Sequence, residues 1–293
     1  MPLASTILMV RPAAFGFNKQ TAANNFFQSS SSLTAEQLQQ KAVQEFDNMV
    51  ATLRSRDINV FVIDDTKEPV KPYVIFLNIW LSTSAYVTVY VYPMYAPNRR
   101  LEKRDDILQL LANNFIVNDL QDWSEYEVEG LFLEGTGSMI IDYENKIIYA
   151  CVSERTCRPL LEKFAAANGF NAFLFTATDK KNQPIYHTNV MMALGENFAI
   201  LCEESIADES ELIAIRHLPE STGRTIIPIT KEQVHSFAGN MLQVKNNKDE
   251  KFLIMSQTAY DSLRKEQREL LETFSALLPI PVPTIEEVEG GSV

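Results

Sequence analysis

Pro184-Ile-Tyr-His-Thr-Asn-Val-Met-Met-Ala-Leu-Gly195 decides how this chain is read, because it sets one of only three histidines at the entrance of an apolar run. A run bounded by proline and glycine predicts a buried strand, where an imidazole needs a hydrogen-bond partner. A second stretch, Leu131-Phe-Leu-Glu-Gly-Thr-Gly-Ser-Met-Ile-Ile-Asp142, sets a carboxylate at a strand end before a glycine turn. We expect the two stretches to face each other across one polar pocket, with Glu134 and His187 as its catalytic pair. Taken singly, each signal is ordinary: strand histidines are mostly inert core residues, and a glutamate before glycine is mostly turn chemistry.

Around these stretches the chain alternates strands and helices. Residues 5–10 predict a strand, followed by a loop rich in side-chain amides (Asn18, Asn24, Asn25, Gln28) that can serve a polar ligand. Thr34 and Gln37 have capping-box spacing before an apolar face of Leu38, Ala42, Phe46, Met49, Val50 and Leu53. Asn59–Ile63 predicts a strand, and Val74–Val91 two more, joined through Ser82–Ala85. Further strands are expected at 131–133, 139–141, 147–151, 172–175, 185–193, 198–202, 225–229, 241–244 and 252–255. Helices are expected near 34, 101, 159, 230 and 257, the last running from Ser256 to about Phe274. No glycine-rich phosphate loop follows the first strand, which disfavours a nucleotide-binding doubly wound sheet.

The formal net charge of −12 argues against nonspecific binding to nucleic acid or acidic lipid. Three cysteines without metal-ligand spacing fit a reducing, cytoplasmic setting. The first apolar run, Ile7–Val10, has no basic segment ahead of it and is broken by Arg11 and Pro12, so neither a secretory signal nor a membrane span is expected.

Five segments in order resemble the guanidino-group-modifying enzymes: arginine deiminase, dimethylarginine dimethylaminohydrolase, glycine amidinotransferase and especially the bacterial citrulline-utilisation hydrolases. They are Met9–Asn18 with Thr21–Asn25, Tyr92–Arg104, the two stretches quoted above, and Phe237–Val244. The resemblance covers nearly the whole chain and implies one amidinotransferase-like domain over 1–293, a five-bladed α/β-propeller whose last strand is missing. It implies a cysteine thiolate attacking the guanidino or ureido carbon, a histidine exchanging protons, and carboxylates holding the planar nitrogens. His187 falls on the proton-transfer position and Glu134 on a guanidino-binding carboxylate. Asn189 takes the place of an aspartate of arginine deiminases and suits a neutral ureido group. Asn25, Arg99, Arg100 and Asn240 complete the expected substrate-binding set, the two arginines being able to grip a carboxylate. The ligand implied is a small guanidino or ureido amino acid; no metal or organic cofactor is implied, and a homo-oligomer is left open.

This chain departs from the family in three places. Pro72-Tyr-Val-Ile-Phe-Leu-Asn-Ile-Trp80 has Tyr73 where relatives carry a substrate-binding aspartate, and Leu77 and Ile79 where they carry polar-loop residues. Ser84 stands in place of a histidine, and Tyr86-Val87 in place of a turn-forming Asp-Gly. Relatives continue beyond the final Gly290-Gly-Ser-Val293 to the nucleophilic cysteine, which is therefore expected just past Val293. Cys151 and Cys202 stand in apolar strand contexts and read as core; Cys157, near Arg155 and Arg158, has more activating neighbours but starts a helix. Two readings follow: a guanidino or ureido enzyme inactive in this form, or a noncatalytic relative binding an amino acid or a protein partner.

Overall fold

The computed structural model describes residues 3–22, 24–84 and 87–292. The chain forms β1 (Thr6–Arg11), α1 (Ala35–Ser55), β2 (Asn59–Asp64), β3 (Leu81–Thr83), β4 (Thr88–Val91), α2 (Asp105–Asn114), β5 (Asp119–Asp122) and the single turn α3 (Gly135–Ser138). There follow β6 (Ile140–Asp142), β7 (Ile147–Cys151), α4 (Arg158–Ala167), β8 (Asn171–Phe175), β9 (Met192–Leu194), β10 (Phe198–Leu201), α5 (Glu209–Ser221) and β11 (Thr225–Pro228). The last part is α6 (Lys231–His235), β12 (Leu242–Lys245), β13 (Lys251–Ser256), α7 (Gln257–Ser262), α8 (Lys265–Glu272), β14 (Ala276–Ile280) and α9 (Pro283–Glu289).

Among the described residues the strands make five separate sheets, none closed on itself: β1-β2, β3-β4-β5, β6-β7-β8, β9-β10-β11 and β12-β13-β14. Four repeat one plan, in which an antiparallel pair is followed by a helical crossover to a strand parallel to the middle one. The plan follows from connection length: a short turn suffices between antiparallel strands, whereas a parallel neighbour needs a long crossover. The first sheet keeps only the parallel half, with α1 crossing from β1 to β2.

The apolar clusters bridge sheets rather than lying within them. Val10 of β1 packs with Val89 and Val91 of β4. Tyr90 of β4 packs with Ile148 of β7, and Tyr149 of β7 with Ile200 of β10 and Leu253 of β13. Ile254 of β13 and Leu278 of β14 pack with Val60 of β2 and the inner face of α1. A bridge from Ala4 to Val244 also joins the start of the chain to the last sheet. A core distributed in this way fixes each sheet against its neighbours.

Several expected elements are present with their local causes. Thr34 and Gln37 close a capping box on α1, which buries Leu38, Ala42, Phe46, Val50 and Leu53. Gly169, with φ +69, follows the end of α4.

Others differ. Residues 185–191 are not a strand: His187 is extended, Thr188–Val190 form a 3-10 turn, and the strand starts only at Met192. Backbone groups there are satisfied locally, Val190 N donating to His187 O and Met191 N to Thr188 O, so burial does not require a ladder. Leu131–Leu133 is likewise no strand, only an isolated bridge between Leu133 and Thr156. Residues 74–80 form turns, and Ser82 lies inside β3 rather than in a connector; Ala85 and Tyr86 lie outside the described residues, as does Val293. The single helix expected over 256–274 is two, broken where Leu263 turns extended.

Candidate functional site

Glu134 and His187 meet directly. His187 Nε2 lies 2.7 Å from Glu134 Oε2, and neither residue is appreciably exposed. Glu134 immediately precedes the α3 turn, which Gly135 enters with φ +49. Its other oxygen, Oε1, accepts from Tyr95 N at 2.9 Å, and Arg155 Nη1 lies 3.6 Å from Oε2. Gly137, in the same turn, has to lack a side chain: a Cβ there would come within 2.6 Å of Ile79 Cδ1 and 2.9 Å of His187 Nδ1.

Arg155 is buried and held on every side. Its Nε donates to Asn24 Oδ1 at 3.0 Å, Nη2 also donates to that oxygen, and the guanidinium lies 4.8 Å from the ring centre of Tyr186. Of the amides in the 11–28 loop, Asn24 is thus bound to Arg155, and Asn25 Nδ2 donates to Glu289 O at 2.8 Å.

These neighbours fix the charge states. Burial alone would raise the Glu134 carboxyl, but Arg155 and the His187 hydrogen bond outweigh it and bring it down to about 2. Burial dominates at His187, pulling it down to about 4 against the opposing effect of Glu134. The pair at neutral pH is thus a carboxylate accepting from a neutral imidazole, with Nε2 as donor and Nδ1 as acceptor.

His187 lines a cavity of about 480 Å³, together with Asn25, Arg99, Asn189 and Asn240. Five of the seven residues singled out in the sequence are therefore brought to one place. Glu134 stands behind His187 with its oxygens already engaged, rather than facing the cavity. Arg100 is directed elsewhere: its Nε donates to Met94 O and lies 3.4 Å from Glu127. Arg99, although at the cavity, is held by a two-point hydrogen bond to buried Glu102 at 2.9 Å. Asn240 Nδ2 reaches Asn189 O at 3.3 Å, linking the fourth sheet to the fifth.

Two charged cavity residues, Arg155 and Glu289, were not singled out in the sequence. Arg155 sits in Ser153-Glu-Arg-Thr156, where nothing local distinguishes a buried guanidinium from a solvated one. Glu289 ends α9, is 1% exposed, and has neither carboxylate oxygen hydrogen-bonded. Its position before Gly290-Gly291 in an acidic run gave no sign of burial.

No cysteine lines the cavity among the described residues. Cys151 and Cys202 are fully buried elsewhere, and burial raises both thiols, Cys151 to about 12. Cys157 precedes α4, with Sγ accepting from Phe132 N at 3.3 Å. Among the described residues no cluster of three or more His, Cys, Asp or Glu could hold a metal ion, and no helix is long and apolar enough to cross a membrane.

Solved structures of known proteins share this fold. The solved structure of ArgZ, an arginine dihydrolase from the ornithine-ammonia cycle in cyanobacteria, is similar with a TM-score of 0.72 and 16% identity, over 98% of this chain and 39% of ArgZ. The chain thus spans well under half of that protein, but it covers 94% of the separately solved ArgZ N-terminal domain bound to substrate, with a TM-score of 0.71 and 18% identity. DDAH from Pseudomonas aeruginosa, as a mutant complexed with citrulline, aligns with a TM-score of 0.66 and 15% identity over 99% of this chain and 97% of its own. At these identities the likeness establishes a shared mixed α/β fold. A search of curated proteins gave no match. The family model described as N,N dimethylarginine dimethylhydrolase, eukaryotic, matches residues 11–293, and the chain belongs to that family, within the pentein superfamily of guanidino-group-modifying proteins.

Proposed function

We propose that this chain binds a small guanidino or ureido amino acid in the His187 cavity, and that His187 is its proton-transfer residue. The observation that carries this reading is the 2.7 Å contact between His187 and ionised Glu134 at the cavity wall. A neutral imidazole whose Nε2–H is fixed by a carboxylate keeps Nδ1 as a base, and Gly137 leaves the space beside that nitrogen clear. Glu134 is then a positioning residue acting through His187. Asn25, Asn189, Arg99 and Asn240 form the polar lining that orients the ligand. Substrate and citrulline in the structures of the ArgZ N-terminal domain and of DDAH are consistent with a ligand of this class.

The five sheets are, in this reading, five blades around one axis in a single domain over 1–293. Support comes from the sheet-bridging clusters, which run from the first sheet through the fifth and back to the first. Three unpaired thiols suit the reducing cytoplasm.

In this reading none of Cys151, Cys157 and Cys202 is the nucleophile, since all three lie away from the cavity. Calorimetry with arginine, citrulline and dimethylarginine tests the binding. At least one should bind, and lose about tenfold or more in affinity in an Asn189→Ala variant. Silence with all three ligands discards the amino-acid reading and leaves a role in protein interaction.

A further inference from the structure

Away from the Glu134 pair, two further buried atoms face each other without bonding. His235 Nε2 and Asp179 Oδ2 lie 3.8 Å apart, too far for a hydrogen bond, and neither has a hydrogen-bond partner among the described residues. Buried polar atoms are nearly always satisfied, so a donor and an acceptor left open toward each other mark a bond that this arrangement does not make.

Asp179 is fixed in place. Its Oδ1 accepts from Lys181 N and Gln183 N, each at 2.8 Å, and its own N donates to Gln183 O, which folds 179–183 into a tight turn. Lys231, the first residue of α6, donates back to Asp179 O at 3.1 Å. Helix and turn are thus tied together, and Oδ2 is the Asp179 oxygen left open toward the imidazole.

The imidazole has a second neighbour. It stacks on Phe27 of the amide loop, with ring centres 4.8 Å apart and planes 30° apart, and Phe27 in turn meets Tyr186 edge-on at 6.2 Å. Phe27, Val234 and Phe237 all belong to the cavity wall. Phe237 holds φ +62, which a bulky side chain rarely adopts, and a Cβ at Gly239 would come within 2.3 Å of Val190 O in the turn after His187. The segment carrying His235 is therefore pressed against the cavity and strained where it leaves α6.

We propose that His235 is a two-position proton switch in the cavity wall: neutral, it stacks on Phe27, and protonated, it moves onto Asp179 and releases Phe27. The proposal goes beyond the amino-acid reading and does not depend on it. A neutral imidazole is well served by an aromatic face, whereas a half-buried imidazolium needs a counter-charge, and a movement of about 1 Å brings it to hydrogen-bond distance of Asp179. Burial, with Lys180 and Lys181, holds His235 below its ordinary 6.5, against the opposing pull of Asp179 and Glu232. Lys231 is engaged by the turn, and Tyr186, behind Phe27, is kept neutral by burial. The stacked form therefore prevails at neutral pH, and acid throws the switch.

NMR on the whole chain through a pH titration tests this. The His235 ring should titrate below 6.5, and the Phe27 ring resonances should shift with the same midpoint as the imidazole leaves. Asp179→Asn keeps an acceptor for the turn but removes the charge, and should lower that midpoint by about 0.5 or more. His235→Phe keeps an aromatic stack that cannot ionise, and should hold the Phe27 resonances constant over the same range. L-Citrulline, whose side chain carries no charge, should bind about threefold or more weaker below the midpoint than at pH 7, an effect missing from His235→Phe. Phe27 resonances that stay put while His235 titrates, a midpoint unchanged in Asp179→Asn, or an equal pH effect on citrulline in His235→Phe each overturns the proposal. If the unmodified chain binds no citrulline, the amino-acid reading falls, and the Phe27 titration by itself still decides the switch.

Discussion

Glu134 and Glu289 are two glutamates almost entirely shielded from solvent, one behind the cavity wall and one in it. The Glu134 carboxylate accepts from Tyr95 N and His187 Nε2 and faces Arg155; the Glu289 carboxylate accepts from nothing. Their titration follows, Glu134 being held down to about 2 by its partners and Glu289 driven up by burial. Burial is common to both, so it is the partners that separate a residue holding the architecture from one open to a ligand.

The largest test of this contrast removes the satisfied carboxylate. Glu134→Ala leaves the Arg155 guanidinium buried without its counter-charge and His187 without its acceptor. We expect a loss of about 4 kcal/mol in urea unfolding, since breaking a buried pair from one side exposes the desolvation of the remaining charge. A loss below about 1 kcal/mol would mean that Glu134 is no better integrated than Glu289.

Acid should act next. The folded pKa of His187 lies at about 4, below its ordinary 6.5, so the fold favours the neutral ring. The unfolded chain binds that proton more readily, and the sign follows: this stability is fully present above 6.5 and is lost as pH falls through 4. We expect a contribution on the order of 3 kcal/mol, read as a stability difference between pH 7 and 4 that is flatter in His187→Asn. In NMR the His187 ring should show no titration down to pH 5.

A smaller effect is expected at Gly137, whose absent side chain makes room for His187. Gly137→Ala drives a methyl into Ile79 and the imidazole and should destabilise by about 2 kcal/mol, as overpacking does. The same variant should weaken ligand binding, because the ring has to move. An alanine variant as stable as the parent, with unchanged binding, would show that His187 is not held in register by this turn.

How much of this could be read from the chain depends on whether the cause was local. The Thr34–Gln37 box and the apolar stripe behind it lie within one helix, and α1 is where they put it. The crossover α5 was missed because only Ile215 and Pro219 are buried along it, Ile213 is exposed, and Pro219 reads as a breaker. Its one local mark was Asp208, whose side chain accepts from Glu211 N. The break between α7 and α8 is tertiary: Gln267 caps Arg264 N while its own amide reaches Pro228 O across from β11. The meeting of Glu134 and His187 was legible through the resemblance of both stretches to one family. Arg155 and Glu289 were not, because Asn24, which accepts from the Arg155 guanidinium, and Asn25, which donates to Glu289 O, come from chain 130 or more residues away.

The smallest stability change is expected where the contrast predicts none. Glu289→Gln keeps the shape and removes an ionisable group with no hydrogen bond to lose, so the fold forfeits no partner and sheds the strain of a buried acid. We expect unfolding free energy within about 1 kcal/mol of the parent near pH 5, on the stabilising side if anything, because replacing an unsatisfied buried group relieves its desolvation. The sign is again set by linkage. A carboxyl raised in the fold opposes folding as pH climbs above 4.5, so the variant's advantage should grow from pH 5 to 8. Glu134→Gln, by the same logic, should be clearly destabilising across that range, since Arg155 loses its counter-charge at every pH. Two amide substitutions of identical chemistry thus separate the residue that the fold depends on from the one it leaves open, and equal losses in both would erase the distinction.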